Sequence, residues 1–357
     1  MSDHGRSVFV HAPDGLRLHV REYGAANAST VTVVCLPGLT RTVADFDVLA
    51  PALAYDPRAA AVQGSGPGIV KPATIDALSQ SRDGDAGAAP QGGQERQTQN
   101  KGRAARRVIV LDARGRGLSE YDHNPENYNL LVELGDLLAV LAALAVGRAV
   151  FIGSSRGGLL TMHLAAARPT AIAGVVFHDI GPVIGPEGLA RLKSYVGKLP
   201  QPRNFVEGAA ILRQLLHGQF PKLTAEQWLA FAQRSWRERE PSTQGCGALV
   251  PTYDVRLSRT LEVVDAEQPL PPLWNEFDAL SRVPVLVIRG ARSDLLSAET
   301  VAAMAARHPG LETIEVPDQG HVPLLEGDLA ARIVEFVGRC ESSGSPLAQS
   351  RSIVGRP

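Results

Sequence analysis

The chain has few cysteines, no surplus of charge of either sign and no long hydrophobic run. Three cysteines stand among 357 residues, Cys35, Cys246 and Cys340. They are odd in number, widely separated and form neither a CxxC pair nor a zinc-type spacing, which excludes a disulfide framework and argues for a reducing compartment. With 36 basic and 37 acidic residues the formal net charge is -1, and without a basic domain nucleic acid is not an expected partner. The most apolar stretch, 130–152, is interrupted by Glu133, Asp136 and Arg148, too short and too charged for a membrane span. The first twenty residues lack a basic segment followed by an apolar one, so no secretory signal is visible. The expectation is a soluble cytoplasmic protein with no membrane partner and an oligomeric state the sequence leaves open.

Missing motifs narrow the chemistry further. "RGRGLSE" and "GSGPGIV" lack the GxGxxG spacing of a dinucleotide-binding turn, and there is neither a GxxxxGK[ST] loop nor an HExxH pair. Neither a cofactor nor a metal is expected. What remains is a globular composition, 44% hydrophobic and 20% charged. The length allows one large domain with an appended module, or two domains.

"SVFVHA" and "LRLHVREY", split by "PDG", alternate as a β-hairpin turning at Asp14-Gly15. Beyond them come short β-branched runs at 30–36, 107–112, 149–153, 174–179, 283–290 and 311–316. Their continuous apolar character predicts strands buried on both faces, as in a parallel sheet. Helical patterns lie between them at 43–54, 129–145, 158–167, 298–307 and 329–339. Alternation of strand and helix predicts an α/β fold with a doubly wound, mostly parallel sheet, whose ligands bind outside the carboxyl ends of the strands.

Two segments break the alternation. Residues 56–106 turn rich in Gly, Gln, Ser and Ala, and predict a low-complexity disordered insertion. Residues 181–275 carry Trp228, Trp236 and helical patterns such as "AEQWLAFAQRSW", and are long enough to form a helical cap over the crevice. The core is then 1–180 and 276–340, and 341–357 reads as a flexible tail.

The chemistry concentrates in "FIGSSRGGLL". Gly-x-Ser-x-Gly between a strand and a helix is the pattern of a nucleophile elbow and assigns the nucleophile to Ser155. A serine hydroxyl needs a base. Of nine histidines, His321 in "DQGHVP" follows the last strand and precedes the final helix, at the crevice end of the sheet. The base needs a carboxylate. Asp294 in "RGARSDLLS" follows the preceding strand and is the favoured acid; Asp179 in "FHDIGP", at the end of the sixth strand, is the alternative and is otherwise read as an anchor for the cap. Oxyanion donors are expected from the backbone of Leu39, in "LPGLTRT", and of Arg156. The Arg156 side chain either binds a substrate carboxylate or pairs with a structural acid. Trp228 and Trp236 are core residues by default and pocket-lining, substrate-binding residues in the alternative. Asp112, Arg114 and Arg116 read as a structural turn with its ion pairs.

These stretches resemble the α/β-hydrolase superfamily, in its capped esterase, enol-lactonase and proline iminopeptidase-like group. "LPGLTRTVADFDVLAPAL" is similar to the oxyanion loop and first helix, "LDARGRGLSEYD" to the turn after the fourth strand, "IGSSRGG" to the elbow, "RGARSDLLS" to the acid loop and "DQGHVP" to the histidine loop. The resemblance implies catalytic roles for Ser155, Asp294 and His321 and oxyanion roles for Leu39 and Arg156. It implies a serine hydrolase acting on a small carboxylic ester, thioester or lactone through an acyl-enzyme. Amide or carbon-carbon bond hydrolysis on the same triad, and a non-catalytic binding protein of the same fold, are the alternatives.

Overall fold

The computed structural model describes residues 5–27, 30–55, 106–239, 248–262 and 270–343. The expected insertion at 56–106 lies outside the described residues except for Arg106, and the expected tail lies outside them beyond Ser343.

Eight strands form one sheet in the order β1-β2-β4-β3-β5-β6-β9-β10. They are β1 (Arg6–His11), β2 (Arg17–Tyr23), β3 (Thr32–Leu36), β4 (Val108–Leu111), β5 (Ala149–Ser154), β6 (Ile172–His178), β9 (Val285–Gly290) and β10 (Glu312–Val316). The hairpin partners β1 and β2 run antiparallel, β2 also lies antiparallel to β4, and every other pairing is parallel. A minor two-stranded ribbon pairs β7 (Trp236–Arg237) with β8 (Val250–Pro251).

The continuous apolar runs are explained by the two cores. Val34 and Leu36 of β3 face one core with Phe151, Val175, Phe177 and Val287. Val33 and Cys35, one residue out of phase, face the other with Val150, Ile152, Val176 and Ile288. A strand buried on both faces has no position left for a polar residue. Helices α2 (Leu130–Ala143), α3 (Arg156–Ala167), α8 (Trp274–Asp278) and α9 (Ala298–Arg307) cover the first face. The second is covered by α1 (Leu49–Ala54) and α10 (Gly327–Ser343).

Two expected boundaries shift. The single helix expected at 43–54 is a 3-10 turn, Val43–Phe46, followed by α1. Pro51 falls in the first turn of α1, where a missing N–H costs no helical hydrogen bond. Residue 341 is not the start of a free tail, because α10 continues to Ser343. Glu341 is tied down by Arg106, Nε to Oε1 at 3.0 Å and Nη2 to Oε2 at 3.1 Å, and by the Val31 amide at 3.0 Å.

Between β6 and β9 the chain forms α4 (Pro186–Tyr195), α5 (Phe205–Leu216), α6 (Ala225–Ser235) and α7 (Arg259–Glu262) before α8. Helices α5 and α6, with the residues that follow each, build a small core of their own around Leu212, Leu216, Phe220, Trp228 and Trp236. A further cluster joins Val196, Tyr253 and Leu257 to Leu39 and Tyr128. No helix among the described residues is long and apolar enough to cross a membrane.

Candidate active site

Strand β5 delivers the chain to Ser155, which sits at φ 48 and ψ -116 before α3 begins at Arg156. A non-glycine residue at positive φ is strained and is held there by its surroundings. The surroundings are close backbone contacts. A Cβ on Gly153 would meet the Gly157 carbonyl oxygen at 2.6 Å, and one on Gly157 would meet the Leu36 carbonyl oxygen at 2.0 Å. Only glycine lets α3 approach β3 and β5 this closely, so the serine is pushed out at the top of the turn. Its amide donates to the His178 carbonyl at 3.0 Å, fixing the turn to β6.

His321 reaches the serine from the loop between β10 and α10, with Nε2 2.8 Å from Ser155 Oγ. Its ring is largely buried, and its amide donates to Gln219 Oε1, at the end of the α5 region, at 3.0 Å. Nδ1 lies 2.8 Å from Asp179 Oδ2. Asp179 is fully buried and follows β6 at φ 54. Its Oδ1 accepts the Gly290 amide at 2.7 Å and its Oδ2 accepts the Ser293 hydroxyl at 2.6 Å. Ser155, His321 and Asp179 thus form one hydrogen-bonded chain.

The favoured acid of the sequence reading is corrected by this geometry. Asp294 does not meet His321; its two oxygens take Arg191 of α4, Nε at 2.6 Å and Nη2 at 2.8 Å. The Asp294 carbonyl also accepts the Gly188 amide at 3.0 Å. The loop after β9 turns its neighbour Ser293 inward to Asp179 and Asp294 outward to Arg191 of α4, so Asp179, the alternative acid, is the carboxylate that lies against the histidine ring.

Leu39 and Arg156 flank the serine. A Cβ on Gly38 would lie 3.5 Å from Ser155 Cβ, which places the Pro37-Gly38-Leu39 turn against the elbow. Arg156 opens α3, so its N–H is among those with no helical acceptor. The Arg156 side chain is held by its own fold: Nε donates to Glu133 Oε2 at 2.7 Å and Nη2 to the Tyr128 carbonyl at 3.1 Å. Of the two readings of this side chain, substrate contact or pairing with a structural acid, the structure shows the pairing, with Glu133. Arg116 takes the other oxygen of Glu133 at 2.7 Å and donates from Nε to the Leu39 carbonyl at 2.8 Å. The buried Glu133 carboxyl would be raised by desolvation, but Arg116 and Arg156 hold it below its ordinary value. This network, which sequence reasoning missed at Glu133, connects the Leu39 turn to the first residue of α3. Arg114 pairs bidentately with Asp136 at 2.7 and 2.6 Å, in a structural arrangement of its own.

A cavity of about 140 Å³ lies over Ser155 and His321, roofed by residues of α4, α5 and α6. Trp236 lines it. Trp228 does not; it is buried among Phe220 and Phe231 in the helical core and borders an outer groove instead. His178 also faces the cavity, with Nδ1 2.7 Å from Ser154 Oγ. Burial drives its pKa down to about 4, so the ring is neutral at pH 7. No cluster of three or more metal-ligating side chains occurs among the described residues.

A second Ser-His-Asp chain has the same connectivity. His19 lies between Ser7, Nε2 to Oγ at 2.9 Å, and Asp112, Nδ1 to Oδ2 at 2.7 Å. Ser7 is exposed on β1 at the edge of the sheet, and Asp112 also accepts the amides of Val43 and Leu118 at 2.8 and 3.1 Å. This chain braces the hairpin against the turn after β4; it has neither an elbow nor the cavity.

Residues 97–335 match the model of the Alpha/beta hydrolase family. A 3-hydroxybutyrate-oligomer hydrolase of Cupriavidus necator is 31% identical over 90% of this chain and 94% of its own length. An esterase of Mycobacterium tuberculosis is 25% identical over 64% of this chain and 72% of its own. The crystal structure of an alpha/beta hydrolase from Novosphingobium aromaticivorans is 33% identical, superposes with a TM-score of 0.74 and covers 96% of this chain and 99% of that one. With its eight-stranded sheet, its elbow serine and these relatives, the chain belongs to the alpha/beta hydrolase family.

Proposed function

We propose that the chain hydrolyses a small carboxylic ester through an acyl-enzyme on Ser155. One arrangement supports this reading above all: Ser155, His321 and Asp179 are joined by two 2.8 Å hydrogen bonds at the floor of a cavity. In this mechanism Ser155 Oγ attacks the ester carbonyl carbon while His321 Nε2 takes the hydroxyl proton. Asp179 holds the Nδ1–H and stabilises the imidazolium, its remaining lone pairs satisfied by Gly290 and Ser293. The carbonyl oxygen, now an anion, faces the amides of Arg156 and Leu39. The tetrahedral intermediate collapses, the C–O bond breaks, and the leaving alcohol receives the proton from His321. Water then attacks the acyl-enzyme with His321 as base, releasing the acid and restoring the Ser155 hydroxyl.

The likeness to a 3-hydroxybutyrate-oligomer hydrolase over nearly the whole of both chains supports an ester of a short hydroxy acid as the substrate. The helices at 181–275 act as a cap, because the residues they contribute close the cavity above the serine. The test is a panel of p-nitrophenyl esters with acyl chains of increasing length, thioesters and lactones, assayed on the wild type and on Ser155→Ala. Turnover of short esters, reduced on the order of 10⁴-fold or more in the variant, is the expected result. A folded wild type that turns over no member of the panel would reject the reading.

A further inference from the structure

The cavity over Ser155 is lined by two arginines, Arg41 and Arg234, and they differ in what they hold. Arg41 is committed. It donates to both oxygens of Asp45, to Ser235 Oγ at 3.0 Å, and stacks over the Phe231 ring at 4.8 Å. Arg234 sits in the last turn of α6, and its guanidinium makes no hydrogen bond to any described residue. Its nearest ionic approach is Nε to Asp45 Oδ1 at 3.5 Å, and Arg41 already occupies that carboxylate.

The other acids around Arg234 have nearer donors as well. Asp47 Oδ1 takes Arg21 at 2.8 Å and the Tyr23 hydroxyl at 3.3 Å. Glu326 Oε1 takes Gln227 Nε2 at 2.6 Å. A cation in the last turn of a helix is favoured by the helix dipole, yet a side chain turned to water would satisfy that. The Arg234 side chain is only 22% exposed. Its burial, with Arg41 nearby, presses the guanidinium below the ordinary arginine value despite the acids. Half-buried beside the cavity and without a hydrogen-bond acceptor of its own among the described residues, this planar fork of donors is open to an acceptor that enters the cavity.

We infer that Arg234 is a specificity residue, receiving a free carboxylate on the ester substrate while the scissile carbonyl lies at Ser155. The inference rests on ester hydrolysis at Ser155 and narrows the substrate class to esters with an anionic end. Planar, paired N–H donors match a carboxylate in a way that an alkyl or amide end does not.

The test is fluorophosphonate labelling of Ser155 in the full chain, timed in the presence of succinate, glutarate or adipate and of the monoamide of each. Both members of a pair bring one carboxylate to the serine, and only the diacid brings a second. For at least one pair the diacid should protect at a concentration at least about tenfold lower than its monoamide. Arg234→Met should bring that ratio to about one, and Arg234→Lys should keep part of it. Equal protection by both members of all three pairs in the wild type overturns the inference alone, and needs no variant to fold. Better protection by the monoamides also overturns it, and points to Glu326 as the dominant charge. Absence of labelling at Ser155 rejects the acyl-enzyme reading itself, and this inference with it.

Discussion

Asp179 and Asp294 stand at the crevice ends of neighbouring strands, β6 and β9, and either loop can carry the acid of such a site. Chain order alone therefore could not separate them. The structure separates them by partners: a histidine for one and Arg191 for the other. Asp179→Asn should lower kcat on the order of 10⁴-fold, since the ring loses the carboxylate that fixes its tautomer. Asp294→Asn should leave kcat within a few-fold and lower stability by about 1 kcal/mol or less, because the pair it breaks is partly exposed. Steady-state kinetics and urea unfolding on both variants check this assignment of the acid. Ser155 and His321 were legible because a glycine-flanked turn and a loop between the last strand and last helix each mark one position. Glu133 was not legible, since within an apolar helix pattern one carboxylate reads as a solvated face. His178 adds a pH dependence. Its folded pKa, about 4, lies below the ordinary 6.5, so the unfolded chain takes up the proton first. Its contribution is flat above about pH 6.5 and is lost as pH falls toward 4. The difference in urea-unfolding free energy between wild type and His178→Asn should accordingly be constant from pH 7 to 8 and shift against the wild type by pH 4.5.

Elements were legible where periodicity ran long enough to be read. The six β-branched runs and the hairpin are all strands of the sheet, although the last, β10, buries only Ile314 and not both faces, and four of the five helical patterns are single helices. Pro51 explains the exception, and Glu341, which has no sequence neighbour to announce Arg106 or Val31, explains why α10 outruns its pattern. The β7/β8 ribbon has two residues per strand, too few to carry any alternation. Two substitutions test the elements that position the site. Gly157→Ala sets a methyl against the Leu36 carbonyl, and should cost about 3 kcal/mol in unfolding free energy and slow labelling of Ser155. Thr224 caps α6 in a reciprocal box with Gln227. Thr224→Ala should cost about 1 kcal/mol and lower the thermal midpoint.

At the scale of the molecule, the sheet brings together residues that are far apart in the chain. Ser155, Asp179 and His321 follow β5, β6 and β10, and the parallel order of those strands places all three at one edge. The fold class was legible because alternation of strand and helix is a property of the whole chain. The roof of the cavity was legible only as a break in that alternation; which of its tryptophans meets the cavity depends on packing between helices, and Trp236 does while Trp228 does not. The presence of two Ser-His-Asp chains in one molecule makes the central claim open to direct measurement. Peptide-mapped labelling with a fluorophosphonate should be run on the wild type, Ser155→Ala, Asp179→Asn and Asp294→Asn. The account predicts stoichiometric label on Ser155 and none on Ser7, loss of label in Ser155→Ala, strong slowing in Asp179→Asn and a near-wild-type rate in Asp294→Asn. Label on Ser7, no label on a folded wild type, or slowing by Asp294→Asn with Asp179→Asn unaffected would contradict it.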